Sequence, residues 1–206
     1  MAVVHEIVPG IYTWSEFSNE KQLNFNGYFL VGNGESVLID PPELKDQGEK
    51  ELEDLIVKNS NCPLRAILLT NVHHERTSRK LKDKFSIPIW INAKDSDLLD
   101  ISPDDTFAGG DTIFCGLRVI PFENQKSPGE SGFLLEDRKV LIVGDALIGK
   151  VPGKVNLLPA EKYADMPKAK NSLRILKNYD FDTLLVGDGE SIGRNARQAV
   201  LRFLEQ

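Results

Sequence analysis

Histidine is scarce in this chain of 206 residues: there are three, His5, His73 and His74. That excludes any site that draws on five imidazoles. Cysteine is scarcer still. Cys62 and Cys115 form no Cys-x-x-Cys pair and cannot build a disulfide framework, so a reducing compartment is the expectation. Positive charge is in deficit, with 25 Lys and Arg against 31 Asp and Glu and a net charge of −6. A nucleic-acid partner would need a concentrated basic face to hold phosphates, so none is expected. No apolar run approaches the roughly 18 residues of a membrane-crossing helix. The opening stretch Met1-Ala-Val-Val-His-Glu6 lacks the basic start and apolar run of a secretory signal. A cytoplasmic location with no membrane partner is therefore expected. Linkers, repeats and low-complexity tracts are missing too, which points to one domain over residues 1–206.

What is present is an ordinary globular composition, 41% hydrophobic and 27% charged. Residues 7–13 read as strand broken by Pro9-Gly10, and residues 26–31 as a second strand. Gly32-Asn33-Gly34 turns the chain into Ser36-Val-Leu-Ile-Asp40, which Pro41-Pro42 ends because neither proline donates to a ladder. Residues 49–58 carry Leu52, Leu55 and Ile56 at helical spacing. Ala66-Ile-Leu-Leu-Thr70 is long enough only for a buried strand, and residues 77–85 look helical. Residues 87–91 read as a strand start or edge because of Pro88. Residues 111–121, with Cys115 as a small core residue, and 132–143 carry strand patterns. Residues 172–176 fit a helix, 183–186 a buried strand and 195–205 a terminal helix. Hairpins followed by alternating strands and helices, in each half, favour helices covering a pair of sheets.

Polar clusters sit where apolar strands stop: Asn71-Val-His-His-Glu-Arg76, Gly144-Asp145-Ala146 and Gly187-Asp188-Gly189-Glu190. A fourth polar loop, Gln125-Lys-Ser-Pro-Gly-Glu130, lies between two strand patterns. If the strands lie side by side, the loops converge on one rim. Carboxylates from Glu75, Asp145 and Asp188 then meet Arg76, Lys126 and one or two imidazoles. Two glycine patterns are set aside. Gly32-x-Gly34 is followed by a strand, and Asp188 and Glu190 would repel a phosphate from Gly187-x-Gly189.

In order and spacing these motifs resemble the metallo-β-lactamase-fold hydrolase superfamily, from Ile7-Val-Pro-Gly-Ile-Tyr-Thr13 through Leu184-Leu-Val-Gly-Asp-Gly189. The resemblance implies an α+β fold, a four-layer αββα sandwich of two mixed sheets with helices on the outer faces. It also implies a dinuclear metal site at the rim between the sheets. The family's signature after the first buried strand is Thr-His-x-His-x-Asp-His. A His before a Ser/Thr-Pro-Gly turn, a Gly-Asp and a Gly-His-Gly follow it. Carried over residue by residue, the vestigial-site positions are Asn71, His73, Glu75, Arg76, Lys126, Asp145 and Asp188. Only His73 and Asp145 keep the family's ligand chemistry. Arginine offers no usable lone pair, and lysine is ordinarily an ammonium donor.

The substitutions therefore read as mutually compensating. Lys126 and Arg76 supply positive charge where cations would sit, paired with Asp145, Asp188 and Glu75. The expectation is no metal cofactor and no standard dizinc hydrolysis, with an unknown small molecule bound at the rim. The alternative is an active hydrolase of an ester, lactone or thioester at the same rim. It would use one divalent ion on His73, Glu75, Asp145 and Asp188, an oxygen-rich set suited to Mn²⁺ or Mg²⁺. Or it would use metal-free acid–base chemistry, with His73 or His74 as base and Lys126 or Arg76 facing an oxyanion. The candidates for chemistry are His73, Asp145 and Lys126. Trp14, Phe17 and Phe25 are expected in the core or along a groove, and residues 156–168 as a lid or a surface connection.

Overall fold

The strands that are apolar at every position bury both of their faces, and that requirement sets the layers. The computed structural model describes residues 3–206. Met1 and Ala2, which open the stretch read for a secretory signal, lie outside the described residues. The first sheet has seven strands in sequence order: β1 (His5–Val8), β2 (Ile11–Ser18), β3 (Leu23–Gly32), β4 (Glu35–Ile39), β5 (Leu64–Leu68), β6 (Ile89–Asn92) and β7 (Asp105–Phe107). β1 to β4 are joined as antiparallel neighbours, and β4 to β7 run parallel. The second sheet has the order β12-β11-β10-β9-β8, built from β8 (Thr112–Ile113), β9 (Leu117–Pro121), β10 (Ser131–Leu135), β11 (Val140–Val143) and β12 (Thr183–Val186). Only its β11–β12 pair is parallel. Both sheets are thus mixed.

Alternation along each strand divides the core into three apolar layers. On β5, Ala66 and Leu68 pack between the sheets with Phe133, Val140 and Leu185. Ile67 and Leu69 point the other way, toward Leu52 of α1 (Asp46–Lys58) and Leu81 of α2 (Ser78–Phe85). On the second sheet, Leu141, Val143, Leu184 and Val186 pack with Leu173 and Leu176, just after α3 (Met166–Ser172). Ala196, Val200 and Leu204 of α4 (Ala196–Glu205) join that outer layer. Helix, sheet, sheet, helix is the resulting order, the α+β sandwich.

The structure departs from the sequence pattern in five places. Residues 132–143 are two antiparallel strands, β10 and β11, joined by a turn at residues 136–139. Residues 111–121 are two strands, because Cys115 and Gly116 adopt left-handed backbone (φ 58° and 78°) and break the run with a tight turn. Cys115 is buried, but in that turn. Residues 172–176 belong to the end of α3 and a following 3₁₀ stretch, Leu173–Asn178; Asp165 caps α3 by accepting from the Lys168 amide. β6 is an interior strand that starts after Pro88, so the proline is a strand-start signal and marks no edge. β7 is a three-residue strand whose Asp105 and Thr106 carry no apolar pattern.

Candidate functional site

The loop after β5 determines which imidazole enters the protein. Asn71 begins a one-turn 3₁₀ helix, Val72–His74, and its side-chain oxygen accepts from the His73 amide at 2.8 Å. Asn and Asp favour such turns because their side chains mimic a backbone acceptor. With three residues per turn, neighbouring side chains diverge by about 120°. His74 therefore points inward while His73 and Glu75 point away. His74 is 2% exposed. A Cβ on Gly187 would collide with the imidazole, so the bare backbone there is what lets the ring in.

His74 is the hub of a buried ion network. Its Nδ1 lies 2.7 Å from Asp40 Oδ2 and 3.2 Å from Thr70 Oγ1. Thr70 also donates to Asp40, from its amide at 2.9 Å and its hydroxyl at 2.6 Å, so that carboxylate is fully committed. On the other side of the ring, Nε2 is 3.6 Å from Asp145 Oδ1 and 4.0 Å from Asp188 Oδ1. Burial and the Arg76 charge push the imidazole toward its neutral form. The Asp40 charge and hydrogen bonding with Asp145 and Asp40 overcome them and lift its pKa to about 10. His74 is therefore an imidazolium at neutral pH.

Two further cations close the network. Lys126 donates to Asp145 Oδ2 at 2.8 Å. Arg76 donates to Asp188 Oδ1 at 2.8 Å and to the carbonyls of Asn26, Asp40 and Gly187 at 2.8, 3.0 and 3.3 Å. Its guanidinium also lies 4.9 Å from the centre of the Phe25 ring. Burial would raise the Asp145 carboxyl, but His74 and Lys126 hold it well below the usual carboxylate range. Burial lifts the Asp188 carboxyl despite His74 and Arg76. His74, Arg76 and Lys126 thus face Asp40, Asp145 and Asp188, cation for carboxylate. A fourth acid, Glu130, is buried beside them; burial and the Asp145 charge raise its pKa.

The sequence-derived positions separate accordingly. Asn71, Arg76, Lys126, Asp145 and Asp188 come together around one rim where the two sheets meet. Asn26 and Tyr28 of β3 fasten that junction by donating to the Val186 carbonyl at 2.8 and 2.7 Å. Glu75 is not part of the rim, contrary to the pairing expected of it. The 3₁₀ turn sends it outward toward Asp100 and Arg79. His73 is exposed along the cleft wall, where desolvation and the neighbouring Lys126 lower its pKa and keep it neutral. Trp14 is core, donating to the Pro42 carbonyl; Phe17 is exposed; Phe25 lines the cleft. Residues 156–162 and Met166 form the opposite wall of that cleft, whose volume is about 790 Å³.

Sequence reasoning missed Asp40, Thr70, Glu130 and Asp95. Buried Asp95 accepts from the Val72 and Gly129 amides at 3.1 and 2.7 Å and from the Ser127 hydroxyl, tying the His74 loop to the Lys126 loop. The available signal was the same for Asp40 as for Asp145: a carboxylate at the point where an apolar strand stops.

The donor chemistry tests the fit to a metal centre. Among the described residues one group, His74, Asp145 and Asp188, brings three ligand atoms within 4.8 Å of one another. Two catalytic ions with about three protein ligands each need roughly twice that number. Moreover, the carboxylates of this group already hold Lys126 and Arg76. The residues present do not fit a two-ion centre.

Comparison with known proteins places this geometry. The family profile described as the metallo-beta-lactamase superfamily matches residues 2–205. No curated protein matches the sequence. A solved metallo-beta-lactamase from Pontibacter korlensis superposes with a TM-score of 0.77 at 18% identity, covering 98% of both chains. The metallo-beta-lactamase FIM-1 from Pseudomonas aeruginosa, in its mono-zinc form, gives 0.75 at 12% identity over 98% of this chain and 94% of its own. A metallo-beta-lactamase family protein from Thermus thermophilus gives 0.68 at 19% identity, over 97% and 80%. At such identities the likeness of structures speaks for the fold, and the near-complete profile match settles the lineage: the chain belongs to the metallo-beta-lactamase superfamily.

Proposed function

We propose that this protein is a single-domain member of its superfamily that has exchanged the dizinc centre for a protein ion network, does not perform standard dizinc hydrolysis, and binds a small molecule in the cleft above that network. The observation that carries this reading is the position of His74. Its ring stands between Asp145 and Asp188 as a cation, with Asp40 behind it. Hydroxide-generating zinc sites need neutral imidazoles and an open coordination position. Here Lys126 and Arg76 already pair with Asp145 and Asp188, and the neighbouring carboxylates favour the protonated form of the His74 imidazole over one with a lone pair to give.

The test is hydrolysis of ester, lactone and thioester substrates by protein purified without chelators, with and without added Zn²⁺ or Mn²⁺. The expected result is turnover no greater than buffer, unchanged in His73→Ala and Lys126→Gln variants. Turnover that depends on added metal and disappears in Asp145→Asn would favour the second reading, a one-ion hydrolase on His74, Asp145 and Asp188, which the convergence of those three donors supports. Metal-independent turnover lost in His73→Ala would favour acid–base catalysis by the exposed, neutral imidazole.

A further inference from the structure

The cleft above the ion network differs in charge from the rest of the molecule. Of the charged groups lining it, six are basic (Lys21, His74, Arg76, Lys126, Lys150 and Lys162) and three are acidic (Asp145, Glu161 and Asp188). The whole chain has the opposite balance. Asp145 and Asp188 are engaged by Lys126 and Arg76 at the floor, and Lys21 pairs with Glu20 at the mouth. Lys150 and Lys162 make no salt bridge among the described residues, and both are exposed at the rim. Among the described residues, what is left unpaired of the charges lining the cleft is Lys150 and Lys162 against Glu161, a positive excess. A concave surface with an excess of one sign concentrates ligands of the opposite sign.

Charge is half of the description. The cleft also has apolar lining: Leu23 and Phe25 from the β3 side, Leu157, Leu158 and Met166 from the other. At about 790 Å³ the space lies within the usual range for a small organic ligand and is far larger than an inorganic anion needs. The floor offers no uncompensated charge, because its cations and carboxylates neutralise one another. An incoming anionic head is therefore directed to the rim lysines, and an apolar body to the walls.

We propose that the cleft binds an amphipathic organic anion, an alkyl or aryl body carrying one carboxylate or phosphate, with Lys150 and Lys162 receiving the head. This rests on the reading above only in placing the ligand over a metal-free floor.

The experiment is calorimetric titration of the full chain with decanoate, decyl phosphate, decanol, decyltrimethylammonium and inorganic phosphate. The Lys150→Glu/Lys162→Glu double variant is run in parallel, and its urea midpoint reports that it is folded. Both decyl anions are expected to bind at least about tenfold more tightly than the alcohol or the ammonium. The double variant is expected to lose about tenfold in anion affinity, and added salt to weaken the wild type more than the variant. The relative strength of the two anions identifies the head group. Equal binding of decanol and decanoate, unchanged affinity in the folded double variant, or inorganic phosphate binding as tightly as decyl phosphate would each overturn the proposal. So would the absence of anion binding. Anion binding together with tightly held zinc and ester turnover would overturn the functional reading and leave the ligand class standing. No metal, no turnover and no anion binding would overturn the ligand class alone.

Discussion

Replacing His74 with Gln is expected to destabilise the protein by roughly 3–5 kcal/mol near neutral pH, the magnitude seen when one partner of a buried ion pair is removed. The side chain is 3% exposed and serves three carboxylates, Asp40, Asp145 and Asp188, so its loss leaves negative charge in a site that water barely reaches. The pH dependence gives this prediction its specificity. Folding raises the His74 pKa from its ordinary 6.5 to about 10. A base whose pKa rises on folding contributes stability that is fully present below the unfolded value and is lost as pH climbs through the folded one. The gap between wild type and variant is therefore widest near pH 6 and closes toward pH 10. Asp145 behaves in the opposite sense: its carboxyl is held low, so its contribution is complete above the ordinary aspartate range and fails in acid. Urea unfolding at several pH values, read at the transition midpoint, checks both limbs. A gap that widens from pH 7 to pH 10 would show that His74 is not the network's cation.

The second large effect belongs to Arg76. Its guanidinium donates to carbonyls on β3, at the end of β4 and after β12, and to the Asp188 carboxylate. It thereby fastens the first sheet to the second at the rim. Arg76→Met keeps much of the length of the side chain but removes every donor. It is expected to destabilise by roughly 3–5 kcal/mol, since Asp188 loses its closest cation and three carbonyls lose a partner. Arg76→Lys restores the charge without the planar fork, so it should recover only part of the loss, leaving a deficit of roughly 1–2 kcal/mol. Equal stability of the lysine variant and the wild type would mean that charge alone matters and that the fork does not hold the sheets together.

The layers of this fold are legible in the sequence because the strands are short and apolar on both faces. Ala66-Ile-Leu-Leu and Val140-Leu-Ile-Val leave no position for solvent, and covering both faces demands two sheets between helices. What escapes the pattern is local backbone chemistry. The left-handed turn at Cys115 and Gly116 looks like the middle of a strand because Ile113, Phe114 and Leu117 surround it with apolar residues. At the rim, compensation is legible only as a set, Lys126 and Arg76 against Asp145, Asp188 and Glu75; which carboxylate each cation takes, and that Glu75 takes neither, depends on the folded loops. The choice between His73 and His74 is different. It turns on a single 3₁₀ turn started by Asn71: family spacing points to His73, which lines the cleft, while the turn buries His74 in the ion network. Asp40 escapes because its role depends on His74, thirty-four residues later.

The proposal that protein cations stand in place of metal ions is tested most directly by elemental analysis of untagged protein, purified without chelators and then dialysed against zinc and manganese. The predicted content is far below one atom of Zn, Fe or Mn per chain, with the His74 imidazole remaining doubly protonated throughout. Near-stoichiometric metal surviving dialysis would contradict it, because His74 Nε2 cannot hold a proton and a metal ion together.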